Sequence, residues 1–148
     1  MAAVDADDHD GRMVDLTATL HEKMPLCTTL GVRALAMDAD QVVLAVDWSP
    51  ELCTSGGMLH GSVLMALADA AAGAACALAN LPEGAAGTST IESKTSFLRA
   101  VRAGALTATA RPLHVGSTTI VVETELRDGG DRLAGKVSQT QVVLRPCP

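Results

Sequence analysis

Aromatic side chains are almost missing from this chain of 148 residues: it has one Trp (Trp48), one Phe (Phe97) and no Tyr. Ala, Val and Leu must therefore fill the core. Positive charge is also short. The formal net charge is −6 and the Lys and Arg residues form no cluster, which argues against a nucleic-acid surface. The cysteines, Cys27, Cys53, Cys76 and Cys147, show no C-x-x-C spacing. The histidines, His9, His21, His60 and His114, are scattered, so neither a zinc site nor another metal centre is expected. The opening M-A-A-V-D-A-D-D-H-D-G-R is acidic and has no apolar h-region. Residues 1–13 read as a disordered tail and residues 14–148 as a single domain. The expected compartment is the cytoplasm, with the thiols reduced.

What the chain does have is one long apolar run, Met58 to Ala79, interrupted by polar side chains only at His60, Ser62 and Asp69. Its richness in Ala and Gly, its central acid and its lack of flanking basic or aromatic anchors speak against a membrane span. A buried helix is expected instead. Asp is a poor choice inside such a helix on stability grounds. A buried carboxylate costs several kcal/mol unless it is paired or hydrogen-bonded. Asp69 is therefore the first candidate for chemistry.

The flanking segments read as a short helix followed by strands. Residues 14–24 suggest an amphipathic helix, with Asp15 near its start and Pro25 just past its end. Val32–Met37 and Gln41–Trp48 read as a hairpin around M-D-A-D. Four further strands are expected at Thr88–Phe97, Ala105–His114, Thr118–Arg127 and Arg132–Leu144, with turns at Gly104, Val115-Gly116 and Asp128-Gly129-Gly130. Their short connections predict an antiparallel meander. An α+β fold follows, in which a curved antiparallel sheet wraps around the long central apolar helix and covers it on nearly all sides.

Gly61 falls at the start of that helix, where unpaired backbone N–H groups and the macrodipole can polarise a carbonyl oxygen. Asp69 supplies a carboxylate able to act as general base or nucleophile. The two are eight residues apart, about 12 Å along a helix axis. A reacting carbonyl must lie about 3 Å from each group. One chain cannot bring its own pair together, but two antiparallel copies related by a two-fold axis can. If both residues act on one substrate atom, the protein is a homodimer with shared active sites.

The strings L-H-G-S-V-L-M-A-L-A-D-A-A-A-G-A-A, T-S-T-I-E-S-K-T-S-F-L-R-A-V and A-R-P-L-H-V-G-S-T-T-I-V-V-E-T-E-L-R-D resemble the hotdog-fold acyl-CoA thioesterases of the phenylacetate-pathway (PaaI-like) type, in the 4-hydroxybenzoyl-CoA thioesterase superfamily. The likeness covers roughly residues 14 to 145. It implies hydrolysis of an acyl-CoA to free acid and CoA, with no cofactor, in a homodimer or a homotetramer built as a dimer of dimers. It also implies that Gly61 polarises the thioester carbonyl and that Asp69 is the nucleophile or base. Thr90 would help to position the carboxylate or water, and His60 would shape the turn before the helix.

Three departures from the family pattern stand out. Ser62 replaces the second Gly of H-G-G, Arg99-Ala100 stands where S-P or R-P is usual, and Thr54 occupies the place of an Asn or Gln six residues before His60. Thr54 or Ser55 would then have to supply that side chain's hydrogen bond. Two other functions stay open at this point. One is a non-catalytic acyl-CoA-binding protein, motivated by Thr54. The other is a hydratase or dehydratase, although neither D-x-N-P-x-H nor G-H-F-P occurs.

Overall fold

The computed structural model describes residues 15–79 and 81–146, so the tail expected over residues 1–13 lies outside the described residues. So do the side chain of Cys76 and all of Cys147. Two short helices open the chain, α1 (Leu16–Lys23) and α2 (Pro25–Leu30). Asp15 caps α1, its Oδ1 accepting from the N–H groups of Thr17 and Ala18 at 3.0 Å each. Pro25 lies just past the end of α1, as expected, but it also begins a second helix that the sequence reading did not include. Pro occupies its first turn, where the missing N–H costs nothing, and Gly31 ends it at φ 67°.

The strands are β1 (Arg33–Met37), β2 (Val42–Asp47), the two-residue pair β3 (Cys53–Thr54) and β4 (Met58–Leu59), then β5 (Gly87–Phe97), β6 (Ala105–Val115), β7 (Thr119–Arg127) and β8 (Leu133–Leu144). Between β4 and β5 runs α3, Gly61–Ala79. Apart from β3 and β4, the strands form one six-stranded sheet in the order β1-β2-β6-β7-β8-β5. Every pairing is antiparallel. The expected meander holds only for β6, β7 and β8. Strand β5 pairs with β8 at the far edge and not with its sequence neighbour β6.

Helix α3 packs against β2, β5, β6, β7 and β8. Its Leu67, Ala68, Ala71, Ala72 and Ala75 are fully buried against inward residues such as Leu44, Leu106, Ile120, Val122 and Leu126. The alanines let helix and sheet approach closely, which fills a core that has almost no rings. Coverage is one-sided, however, and this corrects the expectation that the sheet covers the helix on nearly all sides. Ser62, Met65 and Asp69 are exposed, and Ala66, Ala70 and Gly73 are partly so. These positions recur every three or four residues and form one open stripe along the helix. Among the described residues no helix is long and apolar enough to cross a membrane.

Candidate active site

Asp69 lies on the open stripe of α3, so in the single protomer it faces outward and is not buried. Its environment is nevertheless built. Strand β5 runs beside the helix and places Thr90 against it, and Thr90 Oγ1 donates to Asp69 Oδ1 at 3.0 Å. Gln139 on β8 donates its amide Nε2 to the same oxygen at 2.6 Å. Gln141, two residues on, donates Nε2 to Thr90 Oγ1 at 2.7 Å. That donation fills a lone pair of the hydroxyl and leaves its proton directed at Asp69.

The two glutamine side chains are 1% and 2% exposed on the inner face of an otherwise apolar strand. Gln139 Oε1 has no hydrogen-bond partner among the described residues. An ionised carboxylate can only accept, so the amide must present its nitrogen to Asp69 and leave its oxygen unmet. A buried unmet acceptor costs about 1–3 kcal/mol. Two side chains thus hold Asp69 by one oxygen, with Gln141 behind Thr90, and among the described residues Oδ2 has no hydrogen-bond partner.

The sequence reading named Asp69 and Thr90 but missed both glutamines. A signal was available. In Val137-x-Gln139-x-Gln141-x-Val143 two amides interrupt the buried alternation of a strand.

At the other end of α3, His60 caps the helix. Its Nδ1 accepts from the Ser62 N–H at 3.1 Å and lies 2.7 Å from Ser62 Oγ, and its carbonyl accepts from the Val63 N–H at 2.9 Å. With those donors satisfied, the Gly61 N–H has no acceptor among the described residues. The Phe97 ring covers Gly61 closely: a Cβ built there would lie 3.1 Å from Phe97 Cζ. Thr54, Gly61, Phe97 and Arg99 border a cavity of about 360 Å³. A second groove of about 380 Å³ holds Arg102 and Arg132 and shares Ala100 and Val101 with it. The turn at Gly56 and Gly57 has φ of 84° and 68°, and Arg102 Nη1 donates to the Gly56 carbonyl.

The predicted residues therefore fall into two groups. Thr90 joins Asp69. Thr54, His60 and Ser62 gather at Gly61, with Thr54 in β3 on the wall of its cavity. Ser55 lies exposed on the turn and borders neither cavity. Asp69 opens instead on a separate cavity of about 400 Å³. Within one protomer the Gly61 and Asp69 groups remain apart, eight residues along one helix. Among the described residues no three His, Cys, Asp or Glu side chains converge as metal ligands.

Residues 56–134 match the thioesterase superfamily. The chain is 31% identical over 116 residues to a Saccharolobus solfataricus protein named "Putative esterase SSO2140", covering 78% of this chain and 81% of that one. It is 28% identical over 110 residues to the 1,4-dihydroxy-2-naphthoyl-CoA hydrolase of Listeria monocytogenes, covering 74% and 88%. In fold it is similar to the thioesterase HI1161 of Haemophilus influenzae (TM-score 0.80, 23% identity, 98% of this chain and 96% of that one). It is also similar to the PaaI protein of the Escherichia coli phenylacetic acid degradation operon (TM-score 0.78, 24% identity, 86% and 89%). At those identities the two structures speak for the fold alone, while the family match and the Saccharolobus relative speak for descent. The chain belongs to the thioesterase superfamily and is a thioester hydrolase of the hotdog fold.

Proposed function

We propose that the protein hydrolyses acyl-CoA thioesters to free acid and CoA in a homodimer, each site combining Asp69 of one protomer with Gly61 of its partner. The observation that carries this reading is the carboxylate held by Thr90 and Gln139 through Oδ1, beside a cavity, with Oδ2 left for the reacting atom. Oδ2 either takes a proton from the attacking water or itself attacks the thioester carbon to give a mixed anhydride that water opens. In both routes the C–S bond breaks and the thiolate of CoA leaves. The Gly61 N–H, at a helix N-terminus, donates to the oxyanion. Thr54 is assigned to the Gly61 half, where it borders the same cavity.

Strand β5 supports the dimer. It is an eleven-residue edge strand, and all of its residues are exposed or partly so. Ile91, Phe97 and Leu98 are 63%, 54% and 57% exposed, and Met65 of the open helix stripe is 43% exposed. Such a rim of apolar side chains on an unpaired edge calls for a partner. Antiparallel pairing of two β5 strands about a two-fold axis at Ser93 sets Glu92 opposite the partner's Lys94. The same pairing carries the partner's Phe97, and the Gly61 beneath it, to the Thr88–Thr90 stretch beside Asp69. One operation thus joins both halves of the site.

The CoA portion is supported by the hydrolase relative and by chemistry. Arg99 and Arg102 lead away from Gly61 along connected grooves, in a chain that is otherwise acidic, where the phosphates of CoA need cations. Thiol release from a panel of CoA esters tests the activity, and Asp69→Asn tests the assignment. The variant is expected to lose at least about a thousandfold in kcat, as for removal of a reacting base or nucleophile, while remaining a folded dimer. Wild-type turnover in that variant would overturn the role of Asp69. Binding without turnover on every ester would instead favour a non-catalytic acyl-CoA-binding protein.

A further inference from the structure

An acyl group attached to a carbon beside Asp69 needs a place to lie. The cavity that opens there, about 400 Å³, is at the small end of ligand sites. It has two kinds of wall. The walls from α1–α2 and α3 are apolar apart from Asp69, with Met24, Leu30, Ala70 and Gly73 among them, while the β5 wall is formed by Thr88, Ser89 and Thr90. Neither Trp48 nor Phe97 of the same protomer borders it, so no ring face is offered for stacking. Cys27 also lines it, and burial pushes its thiol above the usual range, so it serves as a small apolar filler and not as a nucleophile.

The length of the cavity has an identifiable stop. Gly73 follows Asp69 by one helical turn, about 6 Å along the axis. A Cβ at Gly73 would lie 3.4 Å from Met24 Cε. The thioether end of Met24, at the kink where α1 meets α2, therefore rests over bare helix backbone one turn beyond the carboxylate.

We propose that this cavity receives the acyl chain, that it prefers aliphatic acyl groups to ring-bearing ones, and that the contact of Met24 with Gly73 sets the accepted chain length. The proposal rests on the hydrolytic reading of Asp69. The partner's Phe97, in the paired arrangement above, reaches the carbonyl side of the site and leaves the Met24 end without an aromatic wall.

The test is kcat/KM across saturated acyl-CoA esters from acetyl to myristoyl, with benzoyl- and phenylacetyl-CoA beside them, for wild type, Met24→Ala and Gly73→Leu. Wild type is expected to gain about fourfold per methylene until the cavity is filled, then fall. The aryl esters are expected below the best aliphatic one. Met24→Ala shifts the optimum to longer chains and Gly73→Leu shifts it to shorter ones. Dissociation constants of non-hydrolysable S-alkyl-CoA thioethers are expected to follow the same order, which separates acyl binding from turnover. An aryl preference in wild type, or an optimum that stays in place in both folded variants, overturns the proposal while leaving hydrolysis intact. Thioether affinities that follow the predicted order without turnover of any ester would instead remove the hydrolytic reading and keep the cavity assignment.

Discussion

Gln139 and Asp69 stand 70 residues apart in the chain and meet at 2.6 Å, the amide nitrogen of one on the carboxylate oxygen of the other. The contact joins the strand β8 to the open face of α3 and leaves the amide's own oxygen unmet. A buried side chain in that position is expensive unless the carboxylate it holds must not move.

Gln139→Leu is accordingly expected to lower kcat by about ten- to a hundredfold, the worth of one hydrogen bond to a charged group, with KM changed less than twofold. In an Asp69→Asn background the same substitution should have almost no further effect on the residual rate. Equal losses in both backgrounds would mean that Gln139 acts on the fold and not through the carboxylate.

Gly61→Ala tests the other half. The added methyl meets the Phe97 ring at 3.1 Å, and the ring is 54% exposed in the protomer, so it can give way. The protomer's stability should fall by no more than about 1–3 kcal/mol, the usual cost of overpacking. Turnover should fall further, because the displaced ring lies beside the N–H proposed to hold the substrate oxygen. Phe97→Leu in the same chain should restore a good part of it. A double variant no better than Gly61→Ala would count against ring displacement as the cause.

The proposed pairing of two β5 strands makes a charge-swap prediction. Glu92→Lys alone puts like charges opposite each other across the two-fold axis and should weaken the dimer. Combined with Lys94→Glu it should restore both association and turnover. Sedimentation and thiol release on the same samples measure the two together. Activity that survives in a monomeric Glu92→Lys protein would end the shared-site model.

Subunit complementation offers an independent check. An Asp69→Asn chain and a Gly61→Val chain should each be inactive alone. Denatured and refolded together, they should regain activity, since the mixed dimer holds one site with both groups intact. No recovery from a well-mixed, folded sample would contradict a site made by two protomers.

Acid stability should depend on Asp128. Its carboxyl is held below the usual carboxylate range, first by the hydrogen bond from the Arg132 side chain and further by the backbone N–H groups of Arg132 and Gly130. A lowered folded-state value means that the stabilisation is fully present above the ordinary carboxylate range and is lost as pH falls through the lowered one. Asp128→Asn should therefore reduce Tm near neutrality and flatten its decline in acid. A decline with unchanged slope would show that other groups set the acid limb.

Much of this architecture was legible in the sequence because it is periodic or local. The long helix, the hairpin, the later strands and the spacing of Gly61 from Asp69 all follow from pattern. What escaped was decided by non-local contact. That β5 skips its neighbour β6 to pair with β8 is a choice of sheet order, and sequence adjacency predicts such choices only in the majority of cases. Pro25 both follows the end of α1 and starts α2, and only Gly31 behind it signals the second helix. The open stripe around Asp69 was hidden because Ala and Gly line it, and those residues read equally well as buried. Gln139 and Gln141 could have been found by asking why two amides sit in register on a strand's inner face.

The outer rim of β5 has a consequence beyond catalysis. Unpaired main-chain donors and acceptors on an eleven-residue edge, with Ile91 and Phe97 exposed beside them, are as adhesive to a stranger as to a twin. In the proposed dimer, a protomer diluted away from its mate is both idle and prone to clump. Specific turnover and resistance to stray strand pairing should then follow the same dimerisation curve, and on that proposal the enzyme's shelf life is a property of its quaternary equilibrium.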